Sequence, residues 1–314
     1  MILTFTPNPG LDYLIFIDEF RPGVRIQAEE AHYSLGGKGV DASVALRTFE
    51  VDTLALSFVA GAAGQRYLSL LDSYGIRHDM VWVEGETRVI HVVVERRYQR
   101  HTHLITSTLP ISESAVADLM GRYKNHLRQA DWVVAAGTLA PGWPVTLYPE
   151  LIALAQAAHV PILVDSSGLP LLQAIPARPT VLKMNDAEFA DTFQTNVTSL
   201  SDLYSQARAL REREKLPALV ITCGKDGILA LTPNGDYLAA APVQPAANAA
   251  GAGDTASGIL AWRLGLGESW PEALRWAAAA SAASVLTEGT ADSRREDVER
   301  LWPQVTIQAF NKAT

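Results

Sequence analysis

Short apolar runs alternate along the chain with stretches whose apolar residues recur at helical spacing. Ile2 to Thr6 and Leu54 to Val59 are nearly continuous apolar runs bounded by turn residues, the pattern of buried strands. Trp132 to Ala136, Ile162 to Val164, Val181 to Lys183 and Ala218 to Thr222 repeat it. Helical patterns lie between and after them, over Asp41 to Phe49, Arg66 to Tyr74, Ser112 to about Gln129, Leu147 to Ala158, Leu203 to Arg213, Thr255 to about Leu264 and Pro271 to Leu286. This rhythm predicts an α/β fold, with a mostly parallel central sheet and helices on both faces. Ile228 to Leu231 and Tyr237 to Val243 read as strands, with an Asn234-Gly235 hairpin signal between them.

Two regions break the rhythm. Leu14 to Ile17 and Val24 to Tyr33 read as strands with no helix between. Met80 to Val83, Thr87 to Arg96 and His101 to Ile105 alternate at period two. Val89, His91, Val93 and Glu95 then share one face, and Ile90, Val92 and Val94 the other. A run of strands inside an α/β chain predicts a small separate β-sheet. We expect a lid built from about residues 12–35 and 86–107, on a single domain spanning 1–314.

Composition narrows the class. Of 314 residues, 48% are hydrophobic and 19% charged, which is ordinary for a water-soluble protein with a large core. Lys and Arg number 26 against 34 Asp and Glu, giving a net charge of −8. That balance argues against a nucleic-acid or membrane-surface binder. Cys223 is the only cysteine, so no intrachain disulfide exists. The first residues read as a strand, without the features of a signal peptide, so a cytoplasmic location is expected.

Candidate chemistry gathers at turns after strands. Asn248-Ala249-Ala250-Gly251-Ala252-Gly253-Asp254-Thr255 has small residues opening a helix, where unpaired N–H groups and the positive dipole end favour an anion. Asp254 at that mouth reads either as an ordinary N-cap or as a base where negative charge is transferred. Asn8-Pro9-Gly10-Leu11-Asp12 and Leu35-Gly36-Gly37-Lys38-Gly39 are two further turns. Asn185 and Glu188 read as a helix cap or as ligands. His101 and His103 lack the companions of a metal site and read as lid surface or subunit contact.

Six segments in order resemble the ribokinase-like carbohydrate kinases, the phosphofructokinase B family, in its sugar-phosphate branch. They are Asn8–Asp12, Gly36–Gly39, Gly85-Glu86-Thr87-Arg88, Gly137-Thr138-Leu139-Ala140-Pro141-Gly142, Lys183-Met184-Asn185-Asp186-Ala187-Glu188 and Gly251–Asp254. The resemblance implies ATP-dependent phosphoryl transfer to a sugar hydroxyl. Asp254 would be the base, and the 251–254 turn, with Gly251, Ala252 and Gly253, the anion hole. Asp12, Gly36, Gly37, Lys38, Asp41, Arg88, Thr138, Asn248 and, more weakly, Arg25 would meet the substrate. Lys183, Asn185, Thr222 and Gly224 would meet the nucleotide. Asn185 and Glu188 would hold Mg²⁺ through waters. The helix of Trp276 to Leu286 would wall the adenine, or serve only as core. A homodimer through the lid is expected.

Several positions depart from the family pattern. Asp41 stands where relatives of this branch usually have Asn, which adds charge near a phosphorylated substrate. Ala249-Ala250 replace Thr-Val, Met184 replaces Pro, and Gly258 falls four residues after Asp254 instead of five. Arg88 favours a phosphorylated acceptor, because its guanidinium can grip a phosphate. Asp41 favours the alternative, a kinase for an unphosphorylated sugar or nucleoside. A non-catalytic sugar-phosphate sensor is opposed by Asp254. A dinucleotide-dependent oxidoreductase is opposed by the lack of a G-x-G-x-x-G after the first strand.

Overall fold

The apolar runs become strands in two sheets. The computed structural model describes residues 1–98, 100–105 and 109–310. In chain order, β1 (Ile2–Phe5), β2 (Gly10–Ile17) and β3 (Glu30–Gly36) precede helix α1 (Lys38–Arg47), followed by β4 (Thr53–Val59), α2 (Gly61–Ser73) and β5 (Arg77–Trp82). Next come β6 (Val89–Glu95), β7 (Arg100–Ile105), α3 (Glu113–His126), β8 (Trp132–Ala136), α4 (Leu147–Ala157), β9 (Ile162–Asp165) and α5 (Gly168–Ala174). The chain continues through β10 (Val181–Asn185), α6 (Asp186–Phe193), α7 (Leu200–Glu214), β11 (Leu219–Thr222), β12 (Ile228–Thr232) and β13 (Gly235–Ala240). It closes with α8 (Ala252–Gly265), α9 (Trp270–Ser284), α10 (Arg295–Leu301) and β14 (Thr306–Phe310).

The large sheet has ten strands in the order β14-β13-β12-β11-β10-β9-β8-β1-β4-β5. Every pairing from β5 to β11 is parallel, and β12, β13 and β14 add antiparallel. Period-two alternation splits its side chains between two layers. Leu3, Phe5, Val133 and Ala135 join a core with α3, α4 and α7, while Ile2, Val134 and Ala136 join another with α8, α9 and α10. β1 lies between β4 and β8, so the chain winds outward from it in both directions. Ligands collect beyond the carboxyl ends of strands at such a reversal. Thr6, Gly137, Asp165, Asn185 and Thr222 all lie at that edge.

The small sheet has the order β3-β2-β6-β7. Its register pairs Asp12 with Ser34 and Ile90, and Val92 with His103, so these residues share a face. Residues 99, 106 and 107 of the expected lid lie outside the described residues.

Some boundaries differ from expectation. Met80 to Val83 falls mostly in β5, at the edge of the large sheet, because its register runs parallel to β4. Residues 24–29 form no strand, and β13 stops at Ala240 before Pro242. Gly61 to Gly64, directly after β4, form the first turn of α2. Strand β14 and the short helices α5 and α10 are absent from the predicted pattern, whereas α6 follows the helix cap read at Asn185. No helix among the described residues is long and apolar enough to cross a membrane.

Candidate active site

The site assembles where the small sheet meets the carboxyl edge of the large one. Gly251 ends the approach to α8 in the left-handed region, at φ 78°. A Cβ there would lie 2.5 Å from the backbone nitrogen of Ala291, so only glycine fits. The helix ladder starts when Thr255 N–H donates to the Gly251 carbonyl at 2.8 Å. The N–H groups of Ala252, Gly253 and Asp254 therefore have no acceptor within the helix.

Asp254 sits in that first turn, 9% exposed. It is not the N-cap, a place Gly251 takes. Burial raises its carboxyl to about 7; Lys38 and Lys183 oppose the shift, while Asp165 and Glu188 reinforce it. One turn on, Ser257 donates to Asp165 Oδ2 at 2.9 Å. Gly258 packs against α1, where a Cβ would meet the Ala42 carbonyl at 2.8 Å. Its place in the sequence thus answers to the close approach of α1 and α8.

Asp165, at the end of β9, joins the groups around this turn and was not singled out in the sequence. It is fully buried and accepts from Lys183 Nζ at 2.6 Å and Lys38 Nζ at 3.2 Å. Burial opposes its ionisation, but Lys183 and Lys38 with the hydrogen bonds they and Ser257 give hold its carboxyl at about 2. Lys38 also donates to Glu188 Oε1 at 2.7 Å. Burial lowers its ammonium, and Asp165, Asp254 and Glu188 more than reverse that, so Lys38 stays charged. The signal available in the sequence was an Asp at the carboxyl end of a buried parallel strand.

Glu188 and Asn185 form a reciprocal capping box on α6. Asn185 Oδ1 accepts from Glu188 N–H at 2.7 Å, and Glu188 Oε2 accepts from Asn185 N–H at 2.9 Å. The structural reading of this pair is thus realised. Each oxygen keeps a second lone pair, so the pair also fits a hydrated cation.

Beside the turn lies a cavity of about 570 Å³, lined by Asn185, Thr222, Gly224, Ala252, Gly253 and residues of α9. Ala278, Ser281 and Ala282 of α9 face it, while Ala277, Ala279, Ala280 and Ala283 are core. The helix is both wall and core. Lys183 reaches the turn from below, 3.5 Å from where a Gly253 Cβ would stand.

On the other side lie Asp12 and Asp41, 7% and 4% exposed. Asp12 accepts from the Thr290 hydroxyl at 3.3 Å, and burial raises its carboxyl to about 7. Gly36 brings backbone against it, where a Cβ would lie 2.6 Å from Asp12 Oδ1, while Gly37 packs on Thr6 and Pro9. Arg88 precedes β6. Its Nε donates to the Pro9 carbonyl at 3.1 Å and its Nη2 to that of Asn8 at 2.9 Å. Asn8 in turn donates to the Thr138 hydroxyl at 3.4 Å.

Two expected substrate contacts are placed differently. Arg25 is exposed in the connection between β2 and β3, and no described contact ties it to the site. Asn248 is buried and occupied in holding the turn, accepting from Ala250 N–H at 2.9 Å and donating to the Glu288 carbonyl at 3.0 Å. His101 of β7 also hydrogen-bonds Asn248, so one of the paired histidines faces the site.

A mostly parallel sheet with its small side sheet, and a glycine-opened helix mouth with a buried carboxylate, define the ribokinase-like class of small-molecule kinases. Residues 11–297 match the pfkB family carbohydrate kinase pattern. The chain belongs to the pfkB family of carbohydrate kinases, and it is an enzyme of that kind. It is 28% identical to the 1-phosphofructokinase of Bacillus subtilis, over 98% of this chain and 99% of the relative. Its fold is similar to that of phosphofructokinase-2 from Escherichia coli in complex with substrates and products, with TM-score 0.87 and 22% identity over 96% of this chain and 98% of that one. It is also similar to that of Arabidopsis thaliana ribokinase complexed with ribose and ATP, with TM-score 0.75 and 18% identity over the same shares.

Proposed function

We propose that this kinase transfers the γ-phosphoryl group of ATP to a hydroxyl of a sugar phosphate. Fructose 1-phosphate, fructose 6-phosphate and tagatose 6-phosphate are the candidate acceptors. The observation that carries the reading is the position of Asp254, between the carboxylates of Asp12 and Asp41 and the cavity beside Gly253. The acceptor hydroxyl gives its proton to Asp254 as its oxygen bonds to the γ-phosphorus. The bond from phosphorus to the bridging oxygen breaks, and ADP leaves. The free N–H groups of Ala252, Gly253 and Asp254 hold the phosphoryl oxygens in flight. Lys183 and Lys38, both ion-paired with Asp165, supply positive potential. Asn185 and Glu188 would hold Mg²⁺ through waters, and the ion would neutralise phosphate charge.

Asp12 accepts hydrogen bonds from the sugar, and the free face of Arg88 meets its phosphate. The small sheet acts as a lid that excludes water, which otherwise competes with the sugar hydroxyl. A homodimer through this sheet covers the face bearing Tyr13, Tyr33, His91 and the half-exposed Leu104. Sedimentation of wild type and Leu104→Glu tests that contact; an unchanged dimer in the variant removes it.

The deciding experiment is ATP consumption across sugars and sugar phosphates with Mg²⁺. Turnover confined to hexose phosphates supports the reading. Equal turnover of unphosphorylated sugars or nucleosides sinks it, and one observation favours that alternative: Arg88 is already bonded to two carbonyls while three carboxylates line the pocket. A sensor without chemistry would leave ATP unconsumed in wild type and Asp254→Asn alike.

A further inference from the structure

Asp41 carries an anomaly that the proposed reaction does not explain. Its side chain is buried within α1, and its Oδ1 has no hydrogen-bond partner. Its carboxyl takes one backbone N–H bond, from Gly37. Buried carboxylate oxygens normally have donors, and leaving one without is costly. The cations nearby are engaged elsewhere. Lys38, on the same helix, is turned to Asp165 and Glu188, and Arg88 donates to the carbonyls of Asn8 and Pro9.

Lys38 and the Gly37 N–H favour ionisation of Asp41, but burial and the carboxylates facing it outweigh them. β2 brings Asp12 and α8 brings Asp254. α2 brings Tyr67, whose hydroxyl donates to the Gly36 carbonyl at 3.0 Å. β1, β4 and β8, all packed on α1, carry no ionisable side chain. The ionisable residues of β3, which are Glu30, His32 and Tyr33, lie in its first four positions, away from Gly36. Arg263 lies at the far end of α8, paired with Glu268. Two anionic carboxylates in one dry site repel, and a phosphorylated acceptor adds more negative charge. Burial first, then the charges of Asp254 and Asp12, push the Asp41 carboxyl well above its ordinary range.

We infer that Asp41 works as a neutral carboxylic acid, which donates its proton in a hydrogen bond to an oxygen of the acceptor sugar. Beside it Asp12 accepts and Asp254 removes a proton, so among the three carboxyl groups Asp41 is the donor. It therefore selects an acceptor with an oxygen lone pair at that position, a hydroxyl, ether or carbonyl, and rejects an ammonium group there. The acceptor's identity rests on the proposed reaction; the proton on Asp41 does not.

Two measurements test this. The first needs no turnover: ¹³C-carboxyl spectra of the aspartates, with Asp41 assigned by its loss in Asp41→Asn. The expected Asp41 carbon keeps its protonated shift at pH 7; an ionised shift there overturns the inference. The second is kcat/KM against pH for wild type, Asp41→Asn and Asp41→Ala, with ATP, Mg²⁺ and hexose phosphates. Asp41→Ala should lose about 10–100-fold at pH 7, for a buried donor removed. Asp41→Asn, a neutral donor of the same shape, should recover most of that and lose the alkaline fall of the wild type. Equal losses in both variants, or a gain on amino sugars in the wild type relative to Asp41→Asn, would show an ionised Asp41 and overturn it. A wild type that uses no sugar phosphate would defeat the proposed reaction while leaving the carboxyl spectrum to decide this inference.

Discussion

The two sheets solve opposite problems. In the large sheet β4 and β8 are buried at every position, and their side chains fill layers on both faces. The small sheet is buried through a compact cluster of Leu14, Phe16, Ile90, Val92 and Val94 and through Leu11 and Leu35 against α1 and α2, and β7 is almost wholly exposed. Its rim is held by surface ion pairs, Arg97 with Asp18 and Glu19, and Arg100 with Glu95. Buried strands fix position, whereas a half-solvated sheet can shift at small cost. The proposed transfer machinery, Asp254 with Asp165 and Lys183, sits on the rigid part. The proposed substrate groups lie at the half-solvated one, Asp12 in β2 and Arg88 just before β6.

That contrast can be broken at either end. The largest expected effect is chemical: Asp254→Asn should lower kcat by about 10²–10⁴-fold with little change in KM, measured by ATP consumption. If KM alone moves, Asp254 binds and does not abstract the proton. Lys183→Met should destabilise the protein by up to about 3–5 kcal/mol in denaturant unfolding, since it removes the closer of the two ammonium partners of the buried Asp165 charge. Arg88→Ala should raise KM for a hexose phosphate by about 10–100-fold, with a smaller change in melting temperature than Lys183→Met. Full activity in that variant removes the phosphate grip. Arg97→Ala should move stability least of all, because Arg97 and Asp18 are exposed and Glu19 is only half-buried.

Protonation sharpens the same comparison. As the proposed base, Asp254 would work only when ionised, so kcat should be lost as pH falls through about 7. Stability runs the other way for the raised groups. Asp12, with its ordinary value of 3.8 raised to about 7, favours the folded state most below 3.8, and that contribution is lost as pH rises to about 7. Asp165 has the opposite sign: its contribution is present above 3.8 and lost as pH falls towards 2. Melting curves at pH 3, 5 and 8 would read both, and an Asp165→Asn protein that keeps the wild-type acid transition would remove that assignment.

The large sheet was legible because its strands are short apolar runs and its helices periodic. The edge elements were not. β14 has the sequence Thr306-Ile307-Gln308-Ala309-Phe310, too polar to announce itself, and it forms because β13 offers it a partner. Residues 24–29 alternate like a strand yet find no ladder. Within the candidate site, the residues in glycine-rich turns were visible. Asp165 was passed over because its importance lies in three partners distant along the chain, Lys38, Lys183 and Ser257. Asn248 was visible, but its bonds are made to the turn itself, and Arg25 had no geometry in the sequence to exclude it.

One loop has a wider consequence. Residues 288–291 touch both halves of the site: the Thr290 hydroxyl bonds Asp12, the Glu288 carbonyl receives Asn248, and the Ala291 N–H reaches the Ala250 carbonyl at 3.4 Å. The proposed floor under the sugar and the frame of the 251–254 turn are therefore tied to one loop. On the proposed reading, a sugar seated on Asp12 would load the same strap that frames Ala252, Gly253 and Asp254. Such a strap would work like a clutch: with the sugar seat empty, the proposed phosphoryl cradle would have less to hold it in register.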